Sequence, residues 1–457
     1  MVEPKVSPNK GMLMLALTWQ RKGELEKARA MFERMIDADP TNAEAHIYLA
    51  DLLIKQNNPA AALPYLQEAI KLRPKAGQIQ EDAAFLDRLV NPLPITAGTE
   101  NWPSNPNGKI KFRHPGDWSI HRSGWGLGMD ALKALHNQNG VLFDGFLEDL
   151  FAWQHKHHTV RDAETLLQMF HDYEFDHLAT SEEKGMTPYQ EPWVGFFHNP
   201  PNMPPWFHGD ESAQAILARP VMQESLKQCK GLFTLSKYHA DWLREQTQVP
   251  VSPLILPTEI PETQFSFNRF QTNPHKKIVQ IGWWLRQQSA IDQLPVWEDN
   301  PAEYQKMRLI PKFYDGAFDY LDSLLETEVK VLGITLTGRN LVEQHHLSNA
   351  KYDQLLTENI IFIHLFDASA NNTVIEAIAR ATPVLVNKLP AVVEYLGADY
   401  PFYYSDFDDA AQKAMDMGRV QAAHQFLKVC PTREKLSAEY FRRSFEESEV
   451  YASLEIT

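Results

Sequence analysis

A period of 34 residues near the N-terminus constrains this chain more than any other feature. Pro40 returns as Pro74, and Leu15, Ala16, Trp19, Ala28, Phe32 and Met35 map at the same offset onto Leu49, Ala50, Leu53, Ala62, Leu66 and Ala69. Self-similarity of this kind marks one supersecondary unit stacked on copies of itself. Apolar residues within each period fall at helical spacing, so each unit reads as two helices. Ala16, Ala28 and their counterparts are small where the helices touch, and the larger residues fill the seam between units. Gly23 and Asn57 fall at the turn between paired helices, where a positive φ is often needed.

This stretch resembles a pair of tetratricopeptide repeats. Two repeats do not bury a face alone. A third amphipathic helix over 78–90, with Ile79, Ala83, Leu86 and Val90, is therefore expected to close the stack as a cap. Two uses fit the module: a groove for a peptide or protein segment, or a stalk that packs on its neighbour or pairs two chains. A homodimer stays open. The run 91–108 is rich in Pro, Asn and Gly without periodicity and reads as a linker.

Composition limits what the rest can be. The chain has 457 residues, enough for several domains. Lys and Arg number 44 against 59 Asp and Glu, a net charge of −15, which argues against sequence-independent binding to nucleic acid. Two cysteines exclude a disulfide framework or an all-cysteine zinc site. No apolar run reaches the length of a membrane span, about 18 residues, and none near the start follows a basic flank. A soluble, cytoplasmic, multidomain protein is expected.

From residue 109 onward, apolar runs alternate with helical patterns, which predicts an α/β fold with parallel sheets. Strands are expected at 141–143, 193–197, 231–234, 278–281, 329–336, 360–365 and 383–386, with helices at 238–245 and 373–380. Such sheets bind ligands beyond the C-terminal ends of their strands. The residues to watch there are Asp144, His198, Ser236, Gly282, Gly338 and the run 367–373.

The segment after IIFIHL, with its core Glu376-Ala-Ile-Ala-Arg-Ala-Thr-Pro-Val, resembles the donor-binding helix of GT-B glycosyltransferases of the family-4 kind. GLFTLS with YHADWLREQ, LILPTEIP, and IVQIG running on to Arg286 resemble further parts of that fold. The resemblance covers roughly 193–409. It implies two Rossmann-like halves: an acceptor half at 109–270, a nucleotide-sugar donor half at 271–430, and helices crossing back at 431–457. By resemblance Glu376 holds the ribose hydroxyls, which suits an acceptor-only carboxylate. Asn371, Asn372 and Thr373 offer backbone amides to the diphosphate, and Gly282 opens the phosphate loop. Arg286 and Arg339 are its candidate cations, since guanidinium grips phosphate with two donors.

On the acceptor side, His198 ends an apolar strand before a proline-rich loop and is a candidate catalytic group, with a structural histidine as the alternative. Asp144 ends another strand and is either a base or a helix cap. Gly126 and Gly128, in HRSGWGLGMDAL, are candidates for a glycine-rich loop bordering the acceptor. Three departures from the family pattern stand out. Ala368 occupies the position eight before Glu376, where the family carries a second glutamate; Asn371 and Asn372 replace loop glycines; and the lysine the family carries a few residues after Arg286 is absent, leaving QQSAID. The clusters QHKHH and His345-His346 lack the spacing of a metal site, and Asp406 and Asp408 read as a helix cap.

The expectation is a hexosyl- or N-acetylhexosaminyl-transferase. Its donor is a nucleotide-sugar, UDP-linked first and GDP-linked second, with no obligatory metal or other cofactor. The acceptor is a protein or peptide engaged through the repeats, an order of parts shared with the O-linked N-acetylglucosamine transferases. The alternative is a GT-B scaffold without catalysis, whose repeats mediate protein–protein interaction.

Overall fold

A computed structural model describes residues 8–22, 24–56, 58–72, 102–113, 124–153, 188–296, 304–310, 317–344 and 347–455. The chain divides into two compact units, Met1–Ala97 with Asp149–Thr187 and Gly98–Glu148 with Pro188–Thr457.

Among its described residues the first unit contains the α-helices α1 (Pro8–Arg21), α2 (Leu25–Ala38), α3 (Ala43–Lys55) and α4 (Pro59–Leu72). Asn42 and Asn58 cap α3 and α4, their side chains accepting the amides of Ala45 and Ala61. Ala16, Ala28, Ala50 and Ala62 are all fully buried, which lets the helices approach; Phe32 and Tyr48 stack between α2 and α3 at 5.7 Å. Leu49 is buried whereas its counterpart Leu15 is 42% exposed. Gly23, Asn57 and the expected capping helix lie outside the described residues.

The second unit holds two parallel sheets. In the first, β1 (Ile110–Phe112), β2 (Val141–Asp144), β3 (Trp193–Phe196), β4 (Cys229–Thr234) and β5 (Val251–Pro253) lie side by side in chain order. In the second, β6 (Lys276–Ile281), β7 (Tyr304–Leu309), β8 (Leu341–Gln344), β9 (Ile360–Ile363), β10 (Val384–Asn387) and β11 (Tyr403–Tyr404) run in the order β11-β10-β9-β6-β7-β8. Every pair is parallel. Together they form two Rossmann-like halves.

The helices that position the site are α5 (Trp125–Leu132), α6 (Lys237–Gln246), α7 (Ala317–Leu332), α8 (Asn349–Thr357), α9 (Asn372–Arg380), α10 (Pro390–Leu396) and α11 (Ala438–Glu446). The C-terminal α11 packs on the first sheet, Phe445 stacking on Phe233 at 4.6 Å. Gly128, inside α5, makes room for this: a Cβ there would stand 3.2 Å from the Phe441 ring.

One expected strand is absent. Residues 329–332 continue α7, which buries Leu324 and Glu328 at helical spacing and ends at Gly333 with φ +65°. The alternation in VKVL mimics a strand but is the solvent-facing end of this helix, with Val331 52% exposed.

Helix α9 ends on Ala381 in the left-handed region, at φ +53°. A Cβ there costs roughly 1 kcal/mol that glycine avoids. Ala381→Gly should therefore raise the denaturant midpoint, by up to about 1 kcal/mol of stability; a lower midpoint would mean the buried methyl matters more than the backbone.

Candidate functional site

In the second sheet the strand order reverses between β6 and β9, the crevice where open α/β sheets bind ligands. The two turns that leave these strands meet there. After β6 the chain turns at Gly282, φ +77°, where a Cβ would lie 2.8 Å from the Arg286 guanidinium carbon. Glycine is thus required twice, for the turn and for the arginine it accommodates.

Arg286 is 6% exposed. Its Nη2 donates to Thr373 Oγ1 at 2.8 Å and Asn371 Oδ1 at 3.2 Å, and Nη1 donates to the Trp284 carbonyl at 2.9 Å. Its Nε is buried without a partner, and no carboxylate pairs with it among the described residues. Burial pulls its pKa down to about 10, against the opposing effect of Tyr352 and Glu376. Glu328 of α7 steadies the loop, accepting the amides of Gln288 at 2.8 Å and Ser289 at 2.7 Å.

The turn after β9 leads into α9. Asn371 caps it, accepting the Val374 amide at 3.2 Å. The amides of Asn372 and Thr373 have no acceptor among the described residues. A helix N-terminus with free amides beside a buried guanidinium that pairs with no carboxylate has the chemistry to receive an anion. One turn into α9, Glu376 accepts the Tyr352 hydroxyl at 2.5 Å. Burial, then Glu376, pushes that phenol well above its ordinary pKa, so it stays a donor.

The first half closes on this site. Gly124, at the start of α5, has φ +76°, and a Cβ there would stand 2.5 Å from Asn372 Oδ1. Trp125 follows and meets the His198 ring edge-on at 4.4 Å. His198 stands after β3, its amide and that of Asn199 bound to Glu148. His239 of α6 is fully buried, and its Nδ1 lies 2.9 Å from Ser369 Oγ of the opposite half.

The structure thus brings Gly282, Arg286, Asn371, Asn372, Thr373 and Glu376 to one place, and His198 of the first half meets Trp125, the neighbour of Gly124. It does not bring the other candidates there. Asp144 is fully buried, accepting the Tyr189 hydroxyl at 2.5 Å and the Phe146 amide at 3.0 Å, with Arg113 at 3.6 Å; it holds the first half together. Arg339 precedes β8, so it lies at the N-terminal edge of the sheet, opposite the anion site, and is exposed. The misplaced strand at 329–336 had put it at the other end. Gly126 and Gly128 fall within α5 rather than in a loop.

Ala368 is buried, and its neighbour Asp367 accepts the Asn202 amide at 2.9 Å and the Tyr238 hydroxyl at 3.2 Å. Asp367 is therefore committed to joining the halves. Asp406 caps a helix by accepting the Asp409 amide. The histidines at 155, 157, 158, 345 and 346 lie outside the described residues, among which no group of three or more His, Cys, Asp or Glu is arranged to hold a metal. No described helix is long and apolar enough to cross a membrane. Sequence reasoning missed Glu148, Tyr352 and His239, whose roles depend on residues 24 to 130 positions away.

Residues 21–83 match the tetratricopeptide repeat family. No curated protein matches the chain. Among solved structures, a mutant O-GlcNAc transferase of Thermobaculum terrenum is similar at 12% identity and a TM-score of 0.38, over 96% of this chain and 89% of that one. A HepE protein of Anabaena, solved with UDP and glucose, is similar at 12% identity and a TM-score of 0.47, over 74% and 98%. A UDP-forming α,α-trehalose-phosphate synthase of Burkholderia xenovorans is similar at 12% identity and a TM-score of 0.45, over 77% and 99%. At these values the likeness does not reach to individual residues or to chemistry.

Burial, then the nearby His198, draws His239 down to about 3 from 6.5. The unfolded imidazole takes a proton that the native one refuses, so the stability tied to neutral His239 is complete above about pH 6.5 and declines as pH falls toward 3. Near pH 5 the loss from this residue is on the order of 2 kcal/mol. Urea midpoints near pH 7 and pH 5 should fall further in the wild type than in His239→Gln; equal falls would mean the native ring is protonated.

Proposed function

We propose that the chain transfers a hexosyl or N-acetylhexosaminyl group from a nucleotide-sugar to an acceptor. The observation that carries this reading is the buried, carboxylate-free Arg286 at the free N-terminus of α9, with Glu376 one turn away. A guanidinium and two amides suit a diphosphate, and an acceptor-only carboxylate suits a vicinal diol about a helical turn further on. A nucleoside diphosphate carries both groups. Charge develops on the leaving diphosphate during transfer, where a prearranged cation and helix terminus stabilise it without a metal. UDP-sugars are the first donors to test and GDP-sugars the second.

The tetratricopeptide repeats support a protein or peptide as acceptor or partner. A second reading, a donor-binding scaffold without catalysis, draws on buried Ala368 and on Asp367 being engaged between the halves, which together leave the transferred sugar short of a carboxylate.

A thermal-shift panel of UDP-, GDP-, ADP- and dTDP-sugars on wild type and Glu376→Ala tests the reading. At about 100 times its Kd the right donor adds roughly 3 kcal/mol of stability to the wild type, and much less to the variant. No shift with any nucleotide would exclude a donor site. A donor shift without transfer to any acceptor would favour the scaffold.

A further inference from the structure

Glu148 is a fully buried carboxylate to which the donor site assigns no task. It follows β2, and both its oxygens meet the loop that follows β3. Oε1 accepts the backbone amides of His198 and Asn199, each at 2.7 Å, and Oε2 lies 3.3 Å from Nδ1 of the His198 ring. An ionised carboxylate has no proton to give, so Nδ1 carries the hydrogen of the neutral ring and the lone pair sits on Nε2. That Nε2 is buried and has no partner among the described residues. The ring cannot turn away, since Phe146 lies over it at 4.1 Å and Trp125 meets it edge-on at 4.4 Å. Trp125 in turn follows Gly124, where a Cβ would stand 2.5 Å from Asn372 Oδ1, so Trp125 links the His198 ring to the start of α9.

We infer that Glu148 is a positioning residue, fixing His198 in the Nδ1–H form so that Nε2 takes the proton of the acceptor hydroxyl during transfer. The inference rests on the glycosyl-transfer reading above. In the step, the acceptor oxygen bonds to the anomeric carbon as its O–H bond breaks, and the proton goes to Nε2. The bond from the anomeric carbon to the diphosphate breaks, and its electron pair leaves with the diphosphate held by Arg286. Glu148 then faces the imidazolium that has formed.

Glu148→Gln tests this with little change of shape. The amide oxygen still takes the two backbone amides, which keeps the loop, but an NH₂ now replaces Oε2 and donates to Nδ1. The ring proton must move to Nε2. Long-range ¹H–¹⁵N spectra of histidine-labelled full-length protein, with His198→Gln to assign the ring, should show Nδ1–H in the wild type and Nε2–H in Glu148→Gln. Transfer should fall at least about 100-fold in the variant, with donor affinity unchanged. An Nε2–H ring in the wild type would overturn the inference, and so would normal transfer by Glu148→Gln. The wild-type spectrum decides even if the variant does not fold. A chain that binds donor and transfers nothing fails the reading above, while the positioning role still stands or falls by that spectrum.

Discussion

The arrangement of this protein's cleft turns on one unmatched charge. Arg286 is enclosed by the turn after β6 and the start of α9, bonded to a hydroxyl, an amide oxygen and a carbonyl, none of them anionic. Burying a cation without a counter-ion is costly, and the depressed pKa expresses that cost. The surroundings are built to hold it nonetheless. Gly282 leaves it room, Asn371 both caps α9 and accepts from it, and Glu328 fixes the following loop. A site held this firmly around a cation without a counter-ion suits an anion.

The two halves are joined by hydrogen bonds that prescribe their register. Glu394 of α10 accepts the amides of Lys237 and Tyr238, both at 2.6 Å, and so caps α6 of the other half. The Tyr395 hydroxyl donates to the Leu235 carbonyl at 2.6 Å, and Asp367 takes the Asn202 amide and the Tyr238 hydroxyl. These contacts hold the halves so that Gly124 abuts Asn372 at the start of α9. Asp367, beside Ala368, belongs to the same seam, and both its oxygens have partners.

Much of the fold and part of the site could be read from sequence. The 34-residue period defines the helices of the first unit, and β2, β3, β4, β6, β9 and β10 are short apolar runs of the kind buried parallel strands require. The candidate donor-side residues lie close together in the chain, on turns that directly follow strands, so a local motif suffices to single them out. β7 is hidden because YQKMRL is polar. Its Lys306 is fully buried, Nζ donating to the carbonyls of Asp292 and Leu294, a solution only the tertiary structure supplies. The 329–336 segment misled through alternation alone, and Arg339 was misplaced with it. Glu148 and Tyr352 carry no local signal, since each matters only for the distant side chain it holds.

The central claim is that Arg286, the start of α9 and Glu376 together hold a nucleoside diphosphate. A crystal structure of the protein with UDP tests it most directly. The diphosphate should lie on the Arg286 guanidinium and the amides of Asn372 and Thr373, with Glu376 turned to the ribose hydroxyls. A nucleotide bound elsewhere, or a Glu376 that keeps only Tyr352 while UDP occupies the cleft, would contradict it.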